Sequence, residues 1–184
     1  SRDFFDLEVE RLWKRVWQLA CHEDDIPNVG DTLVYDIASL SYIIVRTGKD
    51  EIKAFPNACL HRGRALATED ESGLHEFRCP FHGWAWKLDG TLKEVPCQWD
   101  FPSVSAKTHS LPSVQVGRWG GFVFINPDDK AGPLKEFLGD INILPLQGGQ
   151  IEGQDAGVGG SGDLAIRPEY MGLSLNAPAT GPAL

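Results

Sequence analysis

Two short segments that each hold one cysteine and one histidine constrain this chain more than any other feature. Cys59 and His61 are separated by one residue in CLHRG, and Cys79 and His82 are separated by two in CPFHGW. The chain has only four cysteines and five histidines. The seventeen residues from 62 to 78 can form a hairpin that brings the two segments side by side. Thiolate and imidazole at such spacing predict a metal site with two sulfur and two nitrogen donors.

Two kinds of metal centre accept this ligand set. Zinc would place all four ligands around one ion, whereas a [2Fe–2S] cluster would place two cysteines on one iron and two histidines on the other. Gly63 and Gly83 closely follow the two histidines. Glycine lets the backbone approach a bulky cluster and donate amide hydrogen bonds to its sulfurs. This favours the cluster, and a zinc-binding structural module without a redox role remains an alternative.

The rest of the sequence predicts a mainly β, antiparallel fold with an N-terminal helix. Residues 3–18 carry apolar side chains three or four residues apart, which predicts an amphipathic helix. This stripe comprises Phe5, Val9, Leu12, Val16, Trp13 and Trp17. From about residue 31, short β-branched and aromatic runs alternate with turn residues, and Asp89-Gly90 predicts a hairpin. The segment PLKEFLG, with Pro133 and Gly139 at its ends, predicts a short closing helix.

Composition and charge exclude several classes of function. The formal net charge of −9 argues against a nucleic-acid-binding surface. No run approaches the roughly 18 apolar residues of a membrane span, and the first residues show no secretory signal. We therefore expect reduced thiols and a cytoplasmic protein. Cys21 and Cys97 lack a partner motif and are expected to be free thiols, and His22, His75 and His109 are expected to be isolated polar residues.

The paired segments resemble the Rieske iron–sulfur motif, C-x-H followed by C-x-x-H with HRG and CPFHGW. The chain is most similar to the N-terminal domain of the α subunit of ring-hydroxylating oxygenases. The likeness covers roughly residues 5–140 and includes LWKRVWQLACHEDDIP, AFPNACLHRG, WAWKLDGTL and WGGFVFINPDDKAGPLKEFLG. It implies an antiparallel Rieske-type β-sandwich or barrel with a cluster-binding subdomain.

The resemblance also implies the chemistry of the four ligands. Cys59 and Cys79 would bind one iron of a [2Fe–2S] cluster, and His61 and His82 the other. In such oxygenases the cluster takes single electrons from a ferredoxin or flavin reductase and passes them to a mononuclear non-haem iron that activates O₂. Trimers are common in this family, so a homo-oligomer is expected. A free-standing Rieske ferredoxin is the alternative within the same chemistry.

Two departures from related patterns narrow the prediction. Rieske proteins of cytochrome complexes carry an extra cysteine in each loop, where this chain has Arg64 and Phe81. The oxygenase iron site needs two histidines and a carboxylate, and after His82 this chain has only His109. We therefore expect the mononuclear Fe(II) only in a missing catalytic domain, and we expect that this chain alone does not oxygenate a substrate.

These arguments divide the chain into three parts. We predict an N-terminal helical segment at 1–30, a Rieske domain at 31–140 with its cluster-binding loops within 57–96, and a tail at 141–184. The tail is predicted to be linker-like or truncated, because residues 147–184 hold nine of the twenty glycines and one aromatic residue. Arg62 and Arg64 flank the first ligand loop, and we expect them to form a positive rim that attracts an acidic ferredoxin.

Overall fold

The fold was analysed in a computed structural model of the chain. Residues 1–139 are described in full, and beyond them only the backbone of four strands is described: β10 (Asn142–Gln147), β11 (Gln150–Ile151), β12 (Gln154–Asp155) and β13 (Gly162–Ile166). The chain divides into two compact units, Ser1–Leu134 and Lys135–Leu184. In the second unit these strands form an antiparallel sheet in the order β12-β11-β10-β13. The predicted tail at 141–184 otherwise lies outside the described residues.

The first unit is mainly antiparallel β-structure, as the sequence predicts. Its strands are β1 (Gln18–His22), β2 (Thr32–Ile37), β3 (Leu40–Gly48), β4 (Glu51–Pro56), β5 (Glu76–Arg78), β6 (Ala85–Lys87), β7 (Leu92–Glu94), β8 (Gln115–Trp119) and β9 (Phe122–Asn126). They form three three-stranded sheets in the orders β1-β9-β8, β2-β3-β4 and β5-β6-β7.

The N-terminal helix is shorter than predicted. Helix α1 (Arg2–Glu8) continues as a π-helical stretch (Val9–Trp13), and the chain then enters β1 instead of remaining helical to residue 18. Pairing of β1 with β9 from Gln18↔Ile125 onward outweighs the local helical pattern, because it satisfies the strand backbone of both segments. Of the predicted apolar stripe, Val9 and Trp17 are buried, while Leu12 is exposed. The Trp17 indole nitrogen donates to the Gly132 carbonyl at 3.0 Å.

The core of the first unit lies on both faces of β3. Ile43 and Val45 pack with the apolar side chains beneath the ligand segments. Tyr42 and Ile44 point to the opposite face and pack with Val123 and other residues of β1 and β9. Successive side chains of a strand alternate between faces. The continuous apolar run YIIV is therefore explained by a central strand that is covered on both sides.

The predicted Asp89-Gly90 hairpin joins β6 to β7. The Asp89 carboxylate accepts a hydrogen bond from the Thr91 amide at 2.8 Å, and Gly90 adopts φ +86°. A Cβ atom on Gly90 would also collide with the Phe55 ring. Glycine is thus required here both by the left-handed backbone and by close packing on the core. The remaining helices of residues 1–139 are α2 (Ala106–His109), α3 (Leu134–Leu138) and two 3-10 helices (Glu23–Asp25 and Gln98–Asp100). Helix α3 begins one residue after Pro133, the predicted first helical residue, and ends before Gly139 as predicted.

The segment between the two ligand-bearing loops, residues 68–78, is hydrogen-bonded to the residues at the start of β2. The Thr32 amide donates to the Glu71 carbonyl at 2.7 Å, and the Leu74 amide donates to the Gly30 carbonyl at 2.9 Å. The carboxylate of the buried Asp31 accepts hydrogen bonds from the amides of Asn28 and Gly73. These contacts connect the segment before β5 to the start of β2. They therefore hold the sheet of short strands, β5-β6-β7, against the β2-β3-β4 sheet, and the two ligand loops extend from these sheets.

Low pH should weaken these contacts, because protonation of the Asp31 carboxylate weakens the hydrogen bonds that it accepts. The backbone amide of Asn28 is the main cause that holds the pKa of the Asp31 carboxyl below its usual value. Its contribution to stability is complete above the unfolded pKa of about 3.9 and is lost as the pH falls through the lower folded pKa. Asp31→Asn is therefore expected to lower Tm at pH 7, with a smaller difference from the unsubstituted chain at pH 3. A Tm difference that is the same at both pH values would contradict this role.

Candidate metal centre

The two ligand loops close with the same backbone hydrogen bonds. In loop 1 (57–67) the Cys59 amide donates to the Arg64 carbonyl at 2.8 Å, and the Gly63 amide donates to the Cys59 carbonyl at 2.8 Å. In loop 2 (79–84) the Cys79 amide donates to the Trp84 carbonyl at 2.8 Å, and the Gly83 amide donates to the Cys79 carbonyl at 3.0 Å. Each cysteine therefore begins a closed turn whose fifth residue is glycine.

Gly63 and Gly83 both adopt φ +73°. This is the left-handed region, which glycine enters without the steric cost that a Cβ atom brings. At Gly63 the space around a Cβ atom is open, whereas at Gly83 such an atom would lie 3.3 Å from Pro96 Cγ. The glycines are thus required by the shape of the turn, which brings the cysteine at its start close to the residues at its end.

The two cysteines predicted to be ligands lie next to one another. Cys59 is 3% exposed and Cys79 is 2% exposed, and both are free thiols. Burial raises the pKa of the Cys59 thiol, opposed by a hydrogen bond from the His61 backbone amide, while the adjacent Cys79 thiol raises it further. A buried thiol such as that of Cys59 resists ionisation unless a positive charge compensates the thiolate. Backbone amides aimed at the sulfur supply part of that compensation.

The two predicted histidine ligands also meet, but their surroundings differ. The rings of His61 and His82 have centroids 4.7 Å apart. His61 stacks on the Trp84 indole at 5.0 Å with an interplanar angle of 4°, and Phe101 meets it edge-on at 5.6 Å. His82 is exposed and lies against Phe81 at 3.9 Å. One ring is therefore covered by aromatic side chains, and the other faces solvent.

His61 carries an unsatisfied buried nitrogen. Among the side chains of residues 1–139, its Nδ1 is the one buried nitrogen or oxygen atom without a hydrogen-bond partner. Burial lowers the pKa of His61, and the neighbouring His82 and Arg62 lower it further. A neutral imidazole is the form that binds metal. An unpaired buried polar atom is costly, so this nitrogen is explained best as a metal ligand.

These residues fit a [2Fe–2S] cluster better than a single zinc ion. In the fully described part of the chain, no three histidine, cysteine, aspartate or glutamate side chains are placed to hold one metal ion. A structural zinc site needs such convergence. A histidine-ligated [2Fe–2S] cluster instead takes a sulfur pair at one iron and a nitrogen pair at the other, which matches adjacent thiols and adjacent imidazoles.

The remaining residues singled out in the sequence have distinct positions. Arg62 and Arg64 are exposed on loop 1, and Arg64 lines a small cleft with Pro80 and Phe81 of loop 2. Cys21 and Cys97 are free thiols, as predicted. Burial, with Asp25 and other nearby acids, raises the pKa of Cys21 to about 12, so this thiol is unreactive at neutral pH.

Sequence reasoning missed several residues around the site. The ring of His109, expected to be isolated, lies 6.0 Å from that of Trp84, and its carbonyl accepts a hydrogen bond from the Trp86 indole at 2.8 Å. Phe101 meets His61 of loop 1 edge-on, and Asn57, the first residue of loop 1, accepts a hydrogen bond from Leu66 near the end of that loop. No local spacing marks these three residues, because their contacts cross from one part of the chain to another. In the sequence, only the position of Asn57, two residues before Cys59, indicates that it could lie near the site.

None of the helices in the described residues is both long enough and apolar enough to cross a membrane.

Comparison with known proteins agrees with this geometry. Residues 16–110 match the Rieske [2Fe-2S] domain family. The large subunit of anthranilate 1,2-dioxygenase from Acinetobacter baylyi is 36% identical over 144 residues, which make up 77% of this chain and 31% of that protein. The chain thus spans about a third of the length of such curated relatives.

Solved structures show the same relationship. Naphthalene 1,2-dioxygenase from a Rhodococcus species, bound to indole, superposes with a TM-score of 0.69 at 28% identity, covering 79% of this chain and 38% of that one. The quaternary ammonium Rieske monooxygenase CntA in complex with L-carnitine superposes with a TM-score of 0.67 at 29% identity, covering 74% of this chain and 39% of that one. The predicted likeness to oxygenase α subunits is confirmed, and this chain belongs to the Rieske [2Fe–2S] domain family.

Proposed function

We propose that this chain transfers one electron at a time as the N-terminal part of a ring-hydroxylating oxygenase α subunit. Cys59 and Cys79 would hold one iron of the [2Fe–2S] cluster, and His61 and His82 the other. The observation that carries this proposal is that two matching loops place two buried thiols beside one another and two imidazole rings beside one another, with an unpaired nitrogen on His61. When bound, the cluster supplies one-electron chemistry at a potential that histidine ligation raises.

The protein residues give the site a closed side and an open side. Trp84 is buried and covers one face of the partly exposed His61 ring, and Phe101 meets that ring edge-on, so these aromatic side chains reduce the access of water to that imidazole. His82 is exposed and is flanked by the exposed side chains of Phe81 and Pro80. A redox partner can therefore approach closely at His82, and electrons would enter and leave at this edge.

The partners follow from the relatives. We infer that a ferredoxin or flavin reductase reduces this chain, and that the electron goes on to a mononuclear Fe(II) in a catalytic domain beyond the matched third of the relatives. The proteins compared above include the large subunit of anthranilate 1,2-dioxygenase and naphthalene 1,2-dioxygenase, so an aromatic substrate is proposed. A cytoplasmic homo-oligomer, with a trimer as the expected form, completes this proposal.

Anaerobic purification tests the proposed cluster directly. We expect a red-brown protein with two irons and two inorganic sulfides per chain. After reduction with dithionite it should give the low-g electron paramagnetic resonance (EPR) signal of a histidine-ligated cluster. A colourless protein with one zinc per chain would show instead that the site is a structural zinc module. A cluster with the EPR signal of all-cysteine ligation would contradict the assignment of His61 and His82.

Charge reversal on loop 1 tests the proposed ferredoxin contact. Arg62 and Arg64 have no ion pair or side-chain hydrogen bond within residues 1–139, whereas Arg78, Arg118 and Arg46 all pair with glutamates. An unpaired positive rim on an acidic chain would speed encounter with an acidic partner. Arg62→Glu/Arg64→Glu is expected to slow reduction by an acidic ferredoxin about tenfold at low salt, and to flatten the salt dependence of that rate.

A control for this experiment exists elsewhere on the surface. Lys49→Glu/Lys130→Glu makes the same change in net charge at two exposed positions outside the ligand loops. We expect this variant to keep a reduction rate within about twofold of the unsubstituted chain. Equal slowing in the two double variants would mean that net charge, and not a rim at loop 1, governs the encounter.

A further inference from the structure

The side chain of Asn57 lies at the entrance of loop 1 and uses its full hydrogen-bonding capacity. It is 7% exposed. Its amide nitrogen donates to Ser41 Oγ at 3.0 Å and to the Ala67 carbonyl at 2.8 Å. Its amide oxygen accepts from the backbone amides of Leu66 at 2.9 Å and Ala67 at 3.0 Å. Two donors and two acceptor sites are all that an asparagine side chain offers.

These bonds close loop 1 a second time, outside its backbone turn. The inner closure joins Cys59 to Arg64, and the outer closure joins Asn57 to Leu66 and Ala67. The Asn57 backbone amide also donates to the Ser41 carbonyl at 2.9 Å. Ser41 lies in β3, paired with Asp36 of β2. The outer closure therefore ties both ends of the loop to a central strand of the sheet.

Loop 2 shows why loop 1 needs such a residue. Loop 2 is flanked by β5 and β6, whose residues Arg78 and Ala85 pair directly on either side of it. Loop 1 is preceded by β4, but no strand follows it until β5, apart from an isolated bridge at Glu71. The Asn57 carboxamide accepts from backbone N–H groups and donates to a backbone carbonyl, as a peptide group of a neighbouring strand would. It takes the place of the missing strand pair.

We propose that Asn57 is a positioning residue that holds Cys59 and His61 in the geometry that the cluster requires. This inference rests on the proposed ligand set. Loss of the Asn57 side chain would leave two amides and one carbonyl of loop 1 without partners in a buried position. The described sheets do not depend on these bonds, so the loop should open while the fold persists.

The test uses the full chain with its cluster in place. Asn57→Leu removes all four side-chain hydrogen bonds with a side chain of similar volume. Asn57→Asp keeps the oxygen that accepts from Leu66 and Ala67 but replaces the donating amide nitrogen with a second oxygen. We expect the visible absorbance of the cluster to decay at least about tenfold faster in Asn57→Leu, at a temperature well below unfolding. We also expect its reduced EPR spectrum to broaden, and Asn57→Asp should decay at an intermediate rate.

Asn126 provides a matched control. It is 1% exposed, donates to the Arg15 carbonyl at 3.3 Å and accepts from the Asp128 amide at 2.9 Å, away from both loops. Asn126→Leu should lower the Tm measured by circular dichroism but leave the cluster lifetime and EPR spectrum unchanged. If Asn126→Leu loses its cluster as fast as Asn57→Leu, or if Asn57→Leu keeps the lifetime and spectrum of the unsubstituted chain, Asn57 has no positioning role.

Two further variants make the outcome decisive. If Asn57→Leu does not fold, Ser41→Ala removes only the bond between Ser41 and the Asn57 side chain. It should shorten the cluster lifetime about threefold, and an unchanged lifetime would overturn the proposal. Cys59→Ser tests the ligand set separately. A cluster that survives in Cys59→Ser contradicts the ligands, whereas a cluster that forms but decays normally in the Asn57 variants contradicts only the role of Asn57.

Discussion

Cys59→Ser and Cys79→Ser should each yield a colourless protein with less than about a tenth of the iron of the unsubstituted chain. Serine matches cysteine in shape but replaces a soft thiolate with a hydroxyl, which does not ionise at neutral pH and binds iron–sulfur clusters poorly. The two thiols lie next to one another, so the loss of either should release the iron that we propose both would hold. Iron and sulfide content per chain, together with visible absorbance, measures this directly.

The chain supplies its own control for this experiment. Cys97 is an exposed free thiol in the segment that follows β7, and its neighbour Pro96 borders Gly83 of loop 2. Cys97→Ser is expected to keep the full iron content, because this thiol takes no part in the proposed ligand set. Normal iron content in Cys59→Ser, or a colourless Cys97→Ser, would show that the ligands have been assigned wrongly.

The similarity of the two loops explains how one motif builds two different environments. Both cysteines start the same closed turn, with glycine at the fifth position in each. The histidine, however, is the third residue of the turn in loop 1 and the fourth in loop 2. Side chains at successive positions of a tight turn point in different directions. A shift of one residue therefore places His61 beneath Trp84 and leaves His82 in solvent.

Local sequence patterns predict part of this structure, whereas contacts between distant segments cannot be predicted from them. The β-structure could be predicted because alternation and the Asp89-Gly90 turn are local in sequence. The four proposed ligands stand out in the sequence for the same reason, since their spacing is local. The helix predicted to residue 18 ends at Trp13 instead, because β1 pairs with β9, about a hundred residues further along the chain. The local pattern of residues 14–18 contains no trace of that partner. Tertiary pairing of this kind overrides helix propensity.

Residues that support the site were hidden for the same reason. Asn57 bonds to Ser41 and Ala67, and His109 reaches Trp84 across more than twenty residues of sequence. An asparagine before a loop is ordinarily interpreted as a turn residue, and a single histidine as a surface group. The folded structure shows instead that Asn57 closes loop 1 through hydrogen bonds. It also shows that His109 lies beside the Trp84 indole, which stacks on His61.

Trp84 and Trp86 offer a paired test of how that cover affects the cluster. Both are buried, at 3% and 0% exposure, and their rings lie 6.2 Å apart. Trp84 stacks on His61, whereas the Trp86 indole donates to the His109 carbonyl. Replacement of either by leucine should lower the free energy of unfolding by about 3 kcal/mol, since each leaves a cavity in the same core.

Their effects on the cluster should differ. In Trp84→Leu, more of the His61 ring would be open to water, and better solvation favours the reduced cluster, which would carry one more negative charge. The midpoint potential should then rise by on the order of 50 mV, which is close to a tenfold change in a one-electron equilibrium. Trp86→Leu should leave the potential unchanged. Potentiometric titration followed by EPR distinguishes the two variants, and equal potentials in both would mean that stacking on His61 does not shield the cluster from water.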